Sequence, residues 1–424
     1  MRSLRLIWAA LAAILCVAVL PAQSYVIQDA RIVTVSGEVI ERGSVVIEDG
    51  LISQVGNRVR RPRGATRIDG RGLTVYPGIF NADTSLGLTE IGQVAVTNDF
   101  SEMGEYSPQL LAWTAIHVES EHIPVARVDG ITHAVTRPSG GTIAGQGAVV
   151  HLDGWSQEDM EIERNGAMYI ELPEVLSLRS RRFGRGGGGA GGYKKAQEEF
   201  EAKTAELKEL FARVKHYAQE RDQVSVPDRQ LEALIPLVEG RQLAVIEASS
   251  HADIKNAVTF AEETGLNYVI LEADDAWRIP DFLKEHDVRV ILGPRQSLPN
   301  RQDDSNDIIY ETPRILEEAG VRFAIATGGS ANARTLPFEV GNAVAYGLSP
   351  EEALRSITLT PAEFFGVDDR LGSVEEGKIA NLVVTDGDIF EYQTQIKHLF
   401  IKGREVSLES KHTRLYDKYR KARN

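Results

Sequence analysis

Nine histidines are spread through this 424-residue chain: His117, His122, His133, His151, His216, His251, His286, His398 and His412. Imidazole nitrogen binds zinc and moves protons near neutral pH, so spacing decides what these residues can do together. No two form a His-x-His or His-x-x-x-His pair. His117 and His122 would lie about 140° apart around a helix, a poor arrangement for one shared ion. A lone histidine is usually a surface residue or a satisfied core residue. His151 is kept as a binding candidate because it closes an apolar run, Gln146-Gly147-Ala148-Val149-Val150-His151-Leu152. Cys16 is the only cysteine and lies in the N-terminal apolar segment, so the rest of the chain has no thiol chemistry, disulfide or cysteine ligand. The stretch Arg137-Pro138-Ser139-Gly140-Gly141-Thr142-Ile143-Ala144-Gly145-Gln146-Gly147 is rich in glycine, and exposed N–H groups there could dock a carboxylate or phosphate. Its spacing is not a Walker loop or a dinucleotide fingerprint, and a turn between two strands is the plainer account.

These groups act only where the chain positions them. Arg2, Arg5 and the apolar run Leu6 to Leu20, followed by Ala22-Gln23-Ser24, read as a secretory signal over residues 1–24. The run is short for a membrane span, so no span is expected after cleavage; an uncleaved anchor is the alternative. Cleavage leaves 45 basic against 61 acidic residues, a formal charge of −16, which disfavours general nucleic-acid binding. A periplasmic or secreted location follows. Short β-branched runs in 25–75 and again in 367–408 are each too small for a core of their own. They are expected to pair into one small β-sandwich domain. Between them, over 76–366, buried apolar runs alternate with helical stretches. The expected fold is therefore α/β: a (β/α)8 TIM-like barrel plus a small β-sandwich domain built from both chain ends. An insertion over 179–227 combines a Gly/Arg-rich loop with a charged amphipathic helix, read as a solvated element or as a lid or docking arm. Residues 409–424 form a basic tail.

Two long motifs carry a family resemblance. Asp69 to Gly87 (DGRGLTVYPGIFNADTSLG) resembles the segment that leads amidohydrolase-superfamily chains from a β domain into barrel strand one. Leu348 to Val384 (LSPEEALRSITLTPAEFFGVDDRLGSVEEGKIANLVV) resembles the stretch that returns such chains to the β domain, and Arg334 to Glu339 with Tyr346-Gly347 is most similar to the imidazolonepropionase-like branch. Arg127 to Thr132 resembles the second strand and its approach.

The resemblance implies one or two divalent metals, commonly zinc, at the C-terminal mouth of the barrel. Such an ion would lower the pKa of a bound water for attack on an amide-type carbon. It also implies the ligand slots: a His-x-His pair, histidines ending strands five and six, and an aspartate after strand eight. Here those slots hold Asp83-Thr84-Ser85, Glu247, Glu272 (or Ala273) and Thr327-Gly328. No lysine suited to carboxylation stands near Met168-Tyr169-Ile170-Glu171. The usual metal site is therefore not expected, and no cofactor is assigned. Asp83, Glu247 and Glu272 are the candidate catalytic residues, with His151 and Thr327 as candidate substrate contacts. Three outcomes stay open: an oxygen-rich site for Mg²⁺, Mn²⁺ or Ca²⁺, metal-free acid–base work, or polar residues tolerated at a solvated mouth. By resemblance the function is hydrolysis of carbon–nitrogen bonds in a small cyclic amide or peptide-like substrate. The alternative is a non-catalytic pseudoenzyme that binds a ligand, an active relative or a second copy of itself.

Overall fold

The structure, a computed structural model, describes residues 23–175, 190–299, 301 and 303–421. The expected signal segment, up to residue 22, and most of the Gly/Arg-rich loop lie outside them. The first five strands are β1 (Tyr25–Ile32), β2 (Ile40–Glu48), β3 (Leu51–Gly56), β4 (Thr66–Asp69) and β5 (Thr74–Pro77). Eight more build the central sheet: β6 (Ile79–Thr84), β7 (Ile131–Thr136), β8 (Ile143–His151), β9 (Glu161–Glu171), β10 (Leu243–Ala248), β11 (Tyr268–Glu272), β12 (Val290–Leu292) and β13 (Phe323–Ile325). Three close the chain: β14 (Leu382–Thr385), β15 (Ile396–Ile401) and β16 (Arg404–Glu405).

Strands from both ends share one sheet in the order β16-β15-β14-β5-β1-β2-β3, with β4 beside β1. Neither end could bury its apolar face alone. Together they enclose Ile27, Ile32, Val45, Ile47, Val75, Leu382, Val384 and Phe400, each side chain contributing roughly 1.5–3 kcal/mol on burial.

The central sheet runs β13-β12-β11-β10-β9-β8-β7-β6, the eight strands of a nearly closed barrel. Its strands are apolar runs because side chains on both faces are buried. One face packs inside the barrel, through Ala82, Val135, Val149, Tyr169, Val245, Leu271, Ile291 and Ala324, over a floor of Phe364 and Phe365. The other face packs against helices, through Ile79, Val150, Ile246, Ile270, Leu292 and Phe323. The seam between β6 and β13 is bridged rather than laddered. Ser356 and Ile357 carbonyls accept from the Ile325 and Phe80 amides at 3.1 and 2.8 Å, and the Gly328 amide donates to the Asp83 carbonyl at 3.0 Å.

One strand departs from the expected parallel order. β8 is antiparallel to both β7 and β9. Residues 137–142 are too few for a crossover, which needs roughly a dozen, so the chain turns back as a hairpin. Gly140 and Gly141 make that turn with φ of 93° and 74°. A Cβ on Gly141 would lie 2.6 Å from the Gly104 carbonyl oxygen, so only glycine fits there.

The insertion helix spans Ala190–Glu220 and lays Phe200, Leu207, Phe211 and Val214 onto the barrel's helical layer. The C-terminal helix Lys411–Lys421 buries no residue, and Arg414 reaches Glu121 at 3.1 Å. No helix among the described residues is long and apolar enough to cross a membrane.

Candidate active site

Asp83 sits at the C-terminal end of β6, where the pairing with β7 slips between Asn81 and Thr84. Its carboxylate meets Arg137, the first residue after β7, whose Nε donates to Oδ1 at 2.6 Å. The same guanidinium lies 3.7 Å from Glu247 on β10. Three strands thus deliver an acid–cation–acid cluster to one mouth of the barrel. Tyr169 on β9 packs beside it, its ring centroid 5.5 Å from the guanidinium carbon.

Burial sets the electrostatics of this cluster. It pushes the Asp83 carboxyl above the usual carboxylate range; Arg137 pulls it back and Glu272 adds to the rise. Burial also works against the Arg137 charge, but Asp83, Glu247 and Tyr169 outweigh it, so the guanidinium holds its proton more tightly than usual. The Tyr169 phenol is raised well above its ordinary value by burial, with the Asp83 charge adding to this. Its hydroxyl is buried without a hydrogen-bond partner, an uncommon state for a native polar atom.

Glu272 ends β11 on the same rim. It accepts a hydrogen bond from Ser249 Oγ at 2.9 Å. Glu272 and Ala273 both take left-handed backbone angles, φ 73° and 43°, a strain that clusters at functional rims. A small cavity of about 160 Å³ opens at the mouth, lined by Thr84, Ser85, Phe100, Arg137, Ser139 and Gly328. The glycine-rich stretch after β7 therefore contributes through Arg137 and Ser139.

Two of the five candidates are elsewhere. His151 ends a strand that runs down the barrel, so it lies at the opposite mouth, paired across the sheet with His133. Asn381 Nδ2 lies 3.1 and 3.4 Å from Nδ1 of His151 and His133, and ties both rings to the β domain. A parallel β8 would have put His151 at the same mouth as Asp83; the hairpin reverses it. Thr327 is buried in the barrel seam, its hydroxyl accepting from Asn81 Nδ2 at 2.7 Å and its amide donating to Asn81 Oδ1 at 3.3 Å. It fastens β13 to β6, and Gly328 is the residue of that pair that lines the cavity.

The rim also holds groups that sequence reasoning passed over. Asp275, 1% exposed, gathers His251 Nδ1 at 3.1 Å, Arg301 at 2.8 Å and Arg278 at 3.4 Å. Arg295, also buried, donates from its amide to Glu339 at 2.6 Å and from Nε to the Gly293 carbonyl at 2.8 Å. Arg137 itself was read only as part of a glycine-rich stretch, either a turn or an anion-docking loop. Its position, first after a barrel strand, was the available signal.

A divalent ion of the kind the family resemblance implies does not fit these residues. The histidines are not at this rim in a shared group, and among the described residues no three His, Cys, Asp or Glu side chains are placed to hold an ion. Asp83 and Glu247 face a guanidinium instead.

Comparison with known proteins agrees with the architecture. The Amidohydrolase family profile matches residues 201–406. N-acetylglucosamine-6-phosphate deacetylase of Haemophilus influenzae is 55% identical over 51 residues, 12% of this chain and 13% of that protein. Imidazolonepropionase of Syntrophobacter fumaroxidans is 40% identical over 82 residues, 18% of this chain and 19% of that protein. These matches span under a fifth of either relative's length. The crystal structure of an amidohydrolase from Thermotoga maritima superposes with a TM-score of 0.78 at 24% identity, over 90% of this chain and 99% of that one. In its matched profile over residues 201–406, its local sequence likeness and its barrel-plus-sheet fold, this chain is similar to the amidohydrolase superfamily.

Proposed function

We propose that this chain is an exported hydrolase of carbon–nitrogen bonds in a small cyclic amide or peptide-like substrate, working at the Asp83–Arg137–Glu247 mouth without the family's usual metal site. The observation that carries this reading is the convergence of two carboxyls and a guanidinium from β6, β7 and β10 beside a small cavity. Barrel enzymes place their chemistry at this end because strand ends distant in sequence meet there. Hydrolysis needs a base for water, a positive group for the developing oxyanion and a proton for the leaving nitrogen. Glu247 takes the proton from water as the water oxygen bonds to the carbonyl carbon. Arg137 faces the negative oxygen that forms. Glu247 then passes that proton to nitrogen as the C–N bond breaks, while the Asp83 carboxylate holds Arg137 in place.

A second reading has its own support. Because Arg137 engages Asp83 and Glu247, the same arrangement suits a barrel that binds a small molecule, an active relative or a second copy without turnover. One experiment separates the two. Purified chain is assayed against lactams, hydantoins and dipeptides in the presence of chelator, beside Asp83→Asn and Glu247→Gln. The hydrolase reading expects turnover in the parent, at least a hundredfold loss in Glu247→Gln, on the order expected for removing a base, and a smaller loss in Asp83→Asn, which releases Arg137. Turnover undiminished in both variants, or none from the parent on any substrate, refutes it.

A further inference from the structure

The mouth of the barrel carries a protein cation between two positions at which related barrels are expected to seat metal ligands. Asp83 and Glu247 stand on β6 and β10, which are not neighbours in the sheet, so no backbone ladder joins them. Arg137 does, with 2.6 Å to one and 3.7 Å to the other. The three side chains are 4%, 15% and 22% exposed for Asp83, Arg137 and Glu247, so their charges are poorly screened by water. An ion shared by the same two carboxyls would have to enter the space the guanidinium fills and would meet a like charge there.

We infer that Arg137 is a built-in counter-ion standing in the place of a divalent metal: it compensates Asp83 and Glu247, fastens β6 to β10, and keeps metal out of the mouth. Arginine suits the task better than lysine. Its planar fork can address two acceptors at once, and it stays charged when buried. The Tyr169 ring packs against the guanidinium and limits its movement. The inference concerns charge and metal affinity, so it stands apart from whether the mouth turns over a substrate.

The full chain, Arg137→Lys and Arg137→Met are compared by metal analysis after dialysis against EDTA. Their thermal midpoints are then measured in EDTA, in millimolar Mn²⁺ and in millimolar Zn²⁺. The parent should be metal-free, with the same midpoint in all three buffers. Arg137→Met should fall by about 5 °C or more, given the usual relation of midpoint to stability, and should recover part of that loss in Mn²⁺. Arg137→Lys should lie between the two and ignore Mn²⁺. If Arg137→Met does not fold, combining it with Asp83→Asn and Glu247→Gln removes all three charges and should restore a folded chain with no response to metal. Stoichiometric metal in the parent, a parent midpoint raised by either ion, or an Arg137→Met variant that melts like the parent would overturn the inference. So would a destabilised Arg137→Met that Mn²⁺ cannot help, or a triple variant that stays unfolded.

Discussion

Replacing His133 with asparagine should make the protein's stability less sensitive to acid. His133 is fully buried on β7, and its burial lowers its pKa from 6.5 to about 3. Its Nδ1 lies 2.7 Å from the Thr132 hydroxyl and faces Asn381 Nδ2 at 3.4 Å. The Asn381 amide cannot turn to suit a protonated ring, because its Oδ1 accepts from the Lys402 amide at 2.9 Å. The folded chain therefore holds this imidazole neutral, while the unfolded chain protonates it below about 6.5. With the folded pKa depressed, the stability is complete above 6.5 and is lost as pH falls towards 3. Between pH 6.5 and about 4.5 the loss is two units at roughly 1.4 kcal/mol each, about 3 kcal/mol in all. Other groups act in the opposite sense. Burial raises Glu352 to about 7 and Asp129 to about 6, and both favour the fold as pH falls. A bare pH profile mixes these contributions, so the quantity to measure is the difference between parent and variant. Urea unfolding of both at about pH 7.5, 6 and 4.5 should show the parent's advantage shrinking by about 3 kcal/mol across the series. Asparagine keeps an acceptor near the Nδ1 position, so the variant should fold. A parent–variant difference that stays constant with pH would refute the reasoning, because His133 would then titrate alike in both states.

Two shorter expectations test other parts of the structure. Thr327→Val removes the acceptor for Asn81 Nδ2 in the seam between β13 and β6. Leaving that buried amide unpaired should cost about 1–3 kcal/mol in urea unfolding, and a variant as stable as the parent would show that the seam does not depend on this bond. Export predicts that the chain recovered outside the cytoplasm begins at Tyr25, read by intact-mass analysis; recovery with residues 1–24 attached, or only from the cytoplasm, would contradict it.

The order of the elements was legible from residue types alone. β-branched runs at both ends had to combine because neither could bury a core, and the alternation between them required helices around a sheet. The presence of carboxyls at positions 83, 247 and 272 was legible too, because side-chain identity is written directly in the sequence. Two assignments failed for one reason: they needed directions in space. His151 looked like a rim residue because it ends a strand, but the six-residue link before that strand forces it to run backwards. Thr327 looked like a ligand contact because it follows β13, but barrel closure turned it towards Asn81 and left Gly328 at the cavity. Arg137 was hidden in the opposite way. Its residue type was plain, yet only the convergence of β6, β7 and β10 put its charge between two acids that lie 54 and 110 positions away in the chain. Local sequence sets what each segment can become and which groups it carries. Which of those groups meet depends on strand direction and closure, which the whole chain settles by burying its apolar faces together.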